Sequence, residues 1–181
     1  MKSKKFINVF FDTEYTTNGM NSELISMGFV TENDEKYYCE LEVRDKSKIS
    51  DWIKKNVISQ LKNNPENVQS AKTKLIKWFN KISKNKKIRL ISWGQFDLIL
   101  LYSLWVTKKG KLNCWRYTIP KKIYHANHIE MSTLFTVNNI KSNINRIKFS
   151  GISKKIKRHN SLSDALILKS CYKKLTIKLP N

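Results

Sequence analysis

The stretch Ile7-Asn8-Val9-Phe10-Phe11-Asp12-Thr13-Glu14-Tyr15 decides how the rest of this 181-residue chain is read. Ile7–Phe11 is a short apolar run rich in strand formers, and two carboxylates stand at its carboxyl end. Alternation along a strand puts residues i and i+2 on one face, so Asp12 and Glu14 point the same way with little room between them. Like charges held that close resist ionising unless a cation lies between them. Alone, a D-x-E of this kind reads as an ordinary polar strand exit; its meaning depends on what else the chain supplies.

Working outward, Leu24–Val30 and Tyr37–Leu41 are two further strand-like runs, separated by the turn-prone Thr17-Asn18-Gly19 and Glu32-Asn33-Asp34. Connections this short predict an antiparallel three-strand meander. Ser50 is placed to cap a short helix over Asp51–Leu61, and Asn64-Pro65 to start a longer one. In that second helix Val68, Ala71, Leu75, Trp78, Phe79 and Ile82 recur at helical spacing. Arg89–Trp93 reads as a buried strand and Gln95–Trp105 as a helix apolar on nearly every side. Residues 106–122 form a basic insertion, Lys122–Met131 a fifth strand and Ser132–Asn139 a short helix. Asn143–Arg158 reads as a basic linker, Leu162–Leu175 as the last helix and 179–181 as a tail. The expectation is a single domain over 1–181, with α/β architecture and a five-stranded mixed sheet flanked by helices.

Two more acids stand out. Asp97 follows the turn Trp93-Gly94-Gln95-Phe96 and opens a helix whose next ten residues are otherwise uncharged. A carboxylate there also suits a helix amino terminus with no further role. His159-Asn160-Ser161-Leu162-Ser163-Asp164 places a histidine five residues before an acid at the start of the last helix. Ser161 and Asp164 fit a capping box, which accounts for Asp164 but not for His159.

Charge distribution sharpens this. The chain carries 35 Lys and Arg against 14 Asp and Glu, a formal net charge of +21. Nearly all the excess lies after residue 66, where 25 bases face three acids, Asp97, Glu130 and Asp164. Two of the three thus belong to the candidate site. A basic half of this kind argues for a polyanionic partner, nucleic acid before membrane, because no helix combines a continuous basic face with an exposed apolar aromatic one. Cys39, Cys114 and Cys171 are far apart and odd in number, so neither a disulfide framework nor a cysteine zinc site is encoded. The apolar run at the amino terminus is too short for a signal core, and a cytoplasmic location is expected.

Phe10-Phe11-Asp12-Thr13-Glu14-Tyr15, Ser92-Trp93-Gly94-Gln95-Phe96-Asp97 and His159-Asn160-Ser161-Leu162-Ser163-Asp164 together resemble the ordered motifs of the DEDDh exonucleases. Glu23–Val30, Tyr37-Tyr38 and Asp51–Val57 further resemble the branch containing the bacterial exoribonuclease AS and a related phage exonuclease. The sequence departs from that branch at Asn160 and Ser161, where an acid and an alanine are usual, and in the basic insertion. The resemblance implies a ribonuclease H-like fold and two Mg²⁺ or Mn²⁺ ions. Asp12 would bridge the two ions, Glu14 and Asp164 hold the first, and Asp97 hold the second through water. Hard oxygen ligands suit these cations, and His159, with an unperturbed pKa near neutrality, would be the general base. Thr13, Trp93 and Phe96, beside the acids, are expected to contact substrate.

The implied reaction is 3′-to-5′ hydrolysis of single-stranded RNA from its 3′ end, releasing nucleoside 5′-monophosphates. Single-stranded DNA is the alternative substrate, and a non-catalytic basic nucleic-acid-binding protein the alternative of another class. The resemblance also points to a homodimer. Lys154, Lys155, Lys157 and Arg158, beside His159, are expected to guide the strand without selecting its sequence. Trp115 and Tyr117 among basic residues read equally as a stacking platform or as rings packed under a loop. His125 and His128 with Cys114 lack the second cysteine of a zinc site and more simply line a strand or loop. Trp52, Trp78 and Trp105 sit on helical stripes and are expected in the core.

Overall fold

The computed structural model describes residues 5–17, 21–105, 119–124, 127–141, 143–153 and 156–176. In chain order these form β1 (Phe6–Tyr15), β2 (Leu24–Thr31), β3 (Lys36–Leu41), α1 (Asp51–Asn56), β4 (Pro65–Glu66) and α2 (Val68–Ser83). There follow β5 (Lys87–Ser92), α3 (Gln95–Ser103), β6 (Ile129–Glu130), α4 (Met131–Val137), α5 (Arg146–Ser150) and α6 (Ser161–Thr176). The sheet has six strands in the order β4-β3-β2-β1-β5-β6. β1, β2 and β3 pair antiparallel as the short turns predict, and β5 joins β1 in parallel. Among the described residues, no helix is long and apolar enough to cross a membrane.

The strand count corrects the expectation of five. Pro65 does not start a helix; it pairs opposite Glu40 in the two-residue edge strand β4, and Asn67 caps α2 by accepting from Ser70 N at 2.9 Å. Proline, without an N–H to give a ladder, is tolerated at such an edge. The Glu40 carboxylate fixes the approach, accepting from the Lys62 and Asn64 amides at 2.6 and 3.1 Å. The predicted fifth strand shrinks to Ile129–Glu130, with a separate bridge between Ile123 and Ile88. The predicted basic linker contains α5, capped by Asn145 and ended by Gly151 in the left-handed region. Of the basic insertion, residues 106–118 lie outside the described residues, as do Trp115, Tyr117, Cys114 and His125.

Two cores form because every residue of β2 and most of β1 are buried on both faces of the sheet. On one face Val9, Phe11, Met27 and Phe29 pack against Leu75 and Phe79 of α2 and Leu101 of α3. On the other, Phe10, Val30 and Ile91 pack against Phe135 of α4 and Ala165, Leu168 and Cys171 of α6. Asp12 and Glu14 continue the row of Phe10, so they emerge on the α6 face.

Gly28 sets how near α6 comes. It sits opposite Asp12 in the β1–β2 ladder, and a Cβ there would overlap the backbone of Ser161 and Leu162. Only a residue without a side chain lets the start of α6 rest on the sheet beside the acids. Farther along, buried Lys169 ties α6 to the β2–β3 turn through Thr31 O and Asp34 Oδ1, at 2.8 and 2.7 Å. We therefore expect Gly28→Ala to cost about 1–3 kcal/mol or more, as forced overpacking against backbone does. Denaturant unfolding checks it, and an unchanged midpoint would show that α6 yields freely.

Candidate active site

β1 outruns its parallel neighbour. The β1–β5 register ends at Phe10 opposite Ile91, so Thr13 has no ladder partner on that side. Asp97, in the first turn of α3, takes its place: its Oδ1 accepts from Thr13 N at 3.1 Å and from Thr13 Oγ1 at 2.7 Å. This places Asp97, from the α3 face, next to Asp12 and Glu14 at the carboxyl end of β1. Thr13 lines the same cleft with its hydroxyl committed to Asp97.

Asp164 comes from α6. Its Oδ2 accepts from His159 N at 2.7 Å, while Asn160 Oδ1 accepts from Ser163 N at 3.1 Å. The helix is therefore capped by Asn160, one residue earlier than the predicted capping box. Ser161 lies buried, its hydroxyl 3.0 Å from that of Ser26 on β2. Both residues that depart from the family pattern thus have structural work in this chain. His159 has φ +63°, a left-handed conformation uncommon for a residue with a side chain. One ligand atom each from Glu14, His159 and Asp164 lies within 4.8 Å of the others.

The cleft that holds these groups has a volume of about 680 Å³. Trp93 and Phe96 line it, Phe96 with its ring edge-on to Tyr15 at 4.9 Å. Arg158 lines it too, with Nε 3.9 Å from Asp164 Oδ1. Lys157 is exposed and outside the cleft lining, and Lys154 and Lys155 lie outside the described residues. Trp52 is a correction. It is 55% exposed, not core, and its ring stands edge-on to the His159 imidazole at 4.9 Å. Trp105 is buried and Trp78 half-buried against the core, as read from their stripes. His128 lies at the strand end, with Nε2 2.9 Å from Ser92 Oγ.

Arg146 was not singled out in the sequence because it lay within an apparent linker. Its guanidinium stacks on Trp93 at 3.6 Å from the ring centroid and lines the cleft.

The electrostatics follow from burying several acids together. Burial, then repulsion from Asp97, Asp164 and Glu14, holds the Asp12 carboxyl well above its usual range. Burial and the same kind of repulsion push Glu14 up to about 8. Burial raises Asp97 to about 6 despite its hydrogen bonds from Thr13, and Asp164 is raised by burial as well. His159 is shifted down, by burial first and by the Arg158 charge second, which favours its neutral ring. Four clustered carboxylates that bind protons so readily are a hard-oxygen donor set suited to Mg²⁺ or Mn²⁺.

A raised carboxyl pKa means that the folded chain binds more protons than the unfolded one, so stability is lost as pH rises through that window. His128 and His159, both shifted down, act oppositely but only below about 6.5. Between about pH 6.5 and 8 Glu14, raised to about 8, dominates, and the melting temperature in chelator should fall. Saturating Mn²⁺ should reduce the fall, because the cation takes the place of the protons. Calorimetry at both pH values, with and without Mn²⁺, checks this; a flat profile in chelator would mean the acids are not crowded in solution.

No protein-family model matches the chain. Two curated 3′-5′ exoribonucleases, from two strains of Mycobacterium tuberculosis, are each 27% identical to it over 116 residues. Those residues are 62% of this chain and 67% of each relative. The nuclease domain of 3′hExo, a DEDDh family member solved bound to rAMP, superposes with TM-score 0.66 at 12% identity. The match covers 95% of this chain and 91% of that one. Pop2p of S. pombe, in its Mg²⁺- and Mn²⁺-bound form, gives TM-score 0.63 at 10% identity, covering 94% and 83%. The chain thus shares the fold of these nuclease domains and is similar in sequence to the two exoribonucleases, and it carries Asp12 and Glu14, Asp97, and His159 and Asp164 in the order of the motifs that resemble the DEDDh exonucleases.

Proposed function

We propose that this protein hydrolyses single-stranded RNA from its 3′ end and releases nucleoside 5′-monophosphates. The observation that carries this reading is the convergence of Asp12, Glu14, Asp97, Asp164 and His159 in one cleft, where burial and mutual repulsion raise the carboxyls. Asp12, Glu14, Asp97 and Asp164 would hold two divalent ions. Such ions, when bound, stabilise the attacking and leaving oxygens of an in-line displacement at phosphorus. His159, which lines the cleft with its neutral ring favoured, takes the proton from the attacking water. Phe96 gives an apolar wall for the terminal nucleoside, Trp93 lines the cleft beneath Arg146, and Arg158 with its lysine-rich neighbours draws in the strand by charge. The curated relatives, being exoribonucleases, favour RNA over DNA.

The test is purified protein with Mn²⁺ or Mg²⁺ on 5′-labelled RNA and DNA oligonucleotides with free or blocked 3′ ends. Laddering from free 3′ ends only, faster on RNA and stopped by chelator, is the expected result. Equal or greater rates on DNA would reassign the sugar. No cleavage of either polymer, with binding retained, would leave a basic nucleic-acid-binding protein.

A further inference from the structure

Trp93 is fixed from behind. Its ring meets Phe135 of α4 edge-on at 5.1 Å, and Phe135 meets Phe149 of α5 at 5.0 Å. Arg146 and Phe149 are three residues apart on α5, so the helix turns both toward this aromatic layer. The Arg146 guanidinium then lies over the open face of Trp93, at 3.6 Å from its centroid, inside the cleft. Among the described residues it makes no side-chain hydrogen bond and no ion pair within 4 Å, although Asp12, Asp97 and Asp164 all feel its charge. A planar cation stacked on a clamped ring, with its N–H edge unspent, is pre-organised for a phosphate. The carboxylates serve the bond being broken, and Arg146 acts on them by charge without an ion pair to any of them within 4 Å.

Resting on the exonuclease reading, we infer that Arg146, seated on Trp93, binds the phosphate on the 5′ side of the one being cleaved. It would give the enzyme a preference for strands carrying a second phosphate, whatever their bases.

Two dinucleotides isolate the contact: pNpN, which has that second phosphate, and NpN, which lacks it. For the parent with Mn²⁺, kcat/KM should favour pNpN by about tenfold, the usual worth of a charge-assisted hydrogen bond. For Arg146→Gln the ratio of kcat/KM on pNpN to that on NpN should fall to about one. In parallel, affinity for a single-stranded oligonucleotide in Ca²⁺ should fall, with its salt slope reduced by about 0.7. A folded variant that keeps the pNpN preference, or that loses both substrates equally, would overturn the assignment; the second result would place Arg146 at the scissile phosphate or among the supports of the acids. Thermal melting establishes folding, and Arg146→Met, which keeps an unbranched apolar stem against Trp93, replaces Gln under the same criteria if needed. If the parent cleaves neither dinucleotide nor longer RNA, the exonuclease reading fails, while the Ca²⁺ salt slope still decides whether Arg146 binds phosphate.

Discussion

Asp12→Asn is expected to lower the rate of 3′-end hydrolysis by roughly 10³-fold or more, because it removes a ligand whose ions supply several kcal/mol of transition-state stabilisation. The fold should survive. Asp12 lies among three other carboxyls, and burial with their repulsion holds its carboxyl well above the usual range, so its charge is costly to the folded chain without metal. An amide of the same shape therefore removes a charge that is costly in the metal-free cluster, the more so as pH rises. In chelator at pH 8 the variant should melt at or above the parent. With Mn²⁺ the order should reverse, since the parent gains stability from the ion that the variant binds poorly. Melting curves with and without Mn²⁺, beside single-turnover cleavage, test both halves. A variant that unfolds, or that cleaves at the parental rate, would remove Asp12 from the metal site.

The acids were legible in sequence because each stands at a position that local rules define. Asp12 and Glu14 are i and i+2 on a strand, and Asp97 is in the first turn of a helix that follows a strand. What the spacing could not show is why they meet. That depends on β1 outrunning β5, which leaves Thr13 for Asp97, and on Gly28 giving way to the backbone of Ser161 and Leu162. Both are relations between distant segments, and neither leaves a periodic trace.

The misread elements share a cause. β4 has two residues and α5 has five, too short for any period to emerge, and Pro65 has equal claims on a helix start and an edge strand. Trp52 falls on a helical stripe, yet α1 has only six residues and buries Ile53; its neighbour Trp52 turns outward to the His159 ring. Arg146 was hidden by composition, one base among many in a lysine-rich stretch. Its partner Trp93 lies 53 positions earlier in the numbering.

His159 calls for a particular substitution. Its backbone is left-handed, and its N–H donates to Asp164, so Ala would add conformational strain to the loss of the ring and blur the result. Asn tolerates that conformation and keeps the backbone donor. His159→Asn should therefore hold Asp164 in place, bind Mn²⁺ and RNA as the parent does, and lose roughly 10²–10⁴-fold in rate, the usual worth of a positioned general base. The parental rate should rise with pH through the histidine's titration, because only the neutral ring accepts a proton from water. The midpoint should lie below the ordinary value of 6.5, since burial and Arg158 disfavour the charged ring and bound cations would disfavour it further. In the variant that rise should vanish. A rate profile from pH 5 to 8 for both proteins, with Mn²⁺ affinity measured at each pH, separates loss of the base from loss of the metal. Equal turnover in the two would mean that the water is activated without His159, leaving the histidine with only its backbone bond to Asp164 and its contact with Trp52.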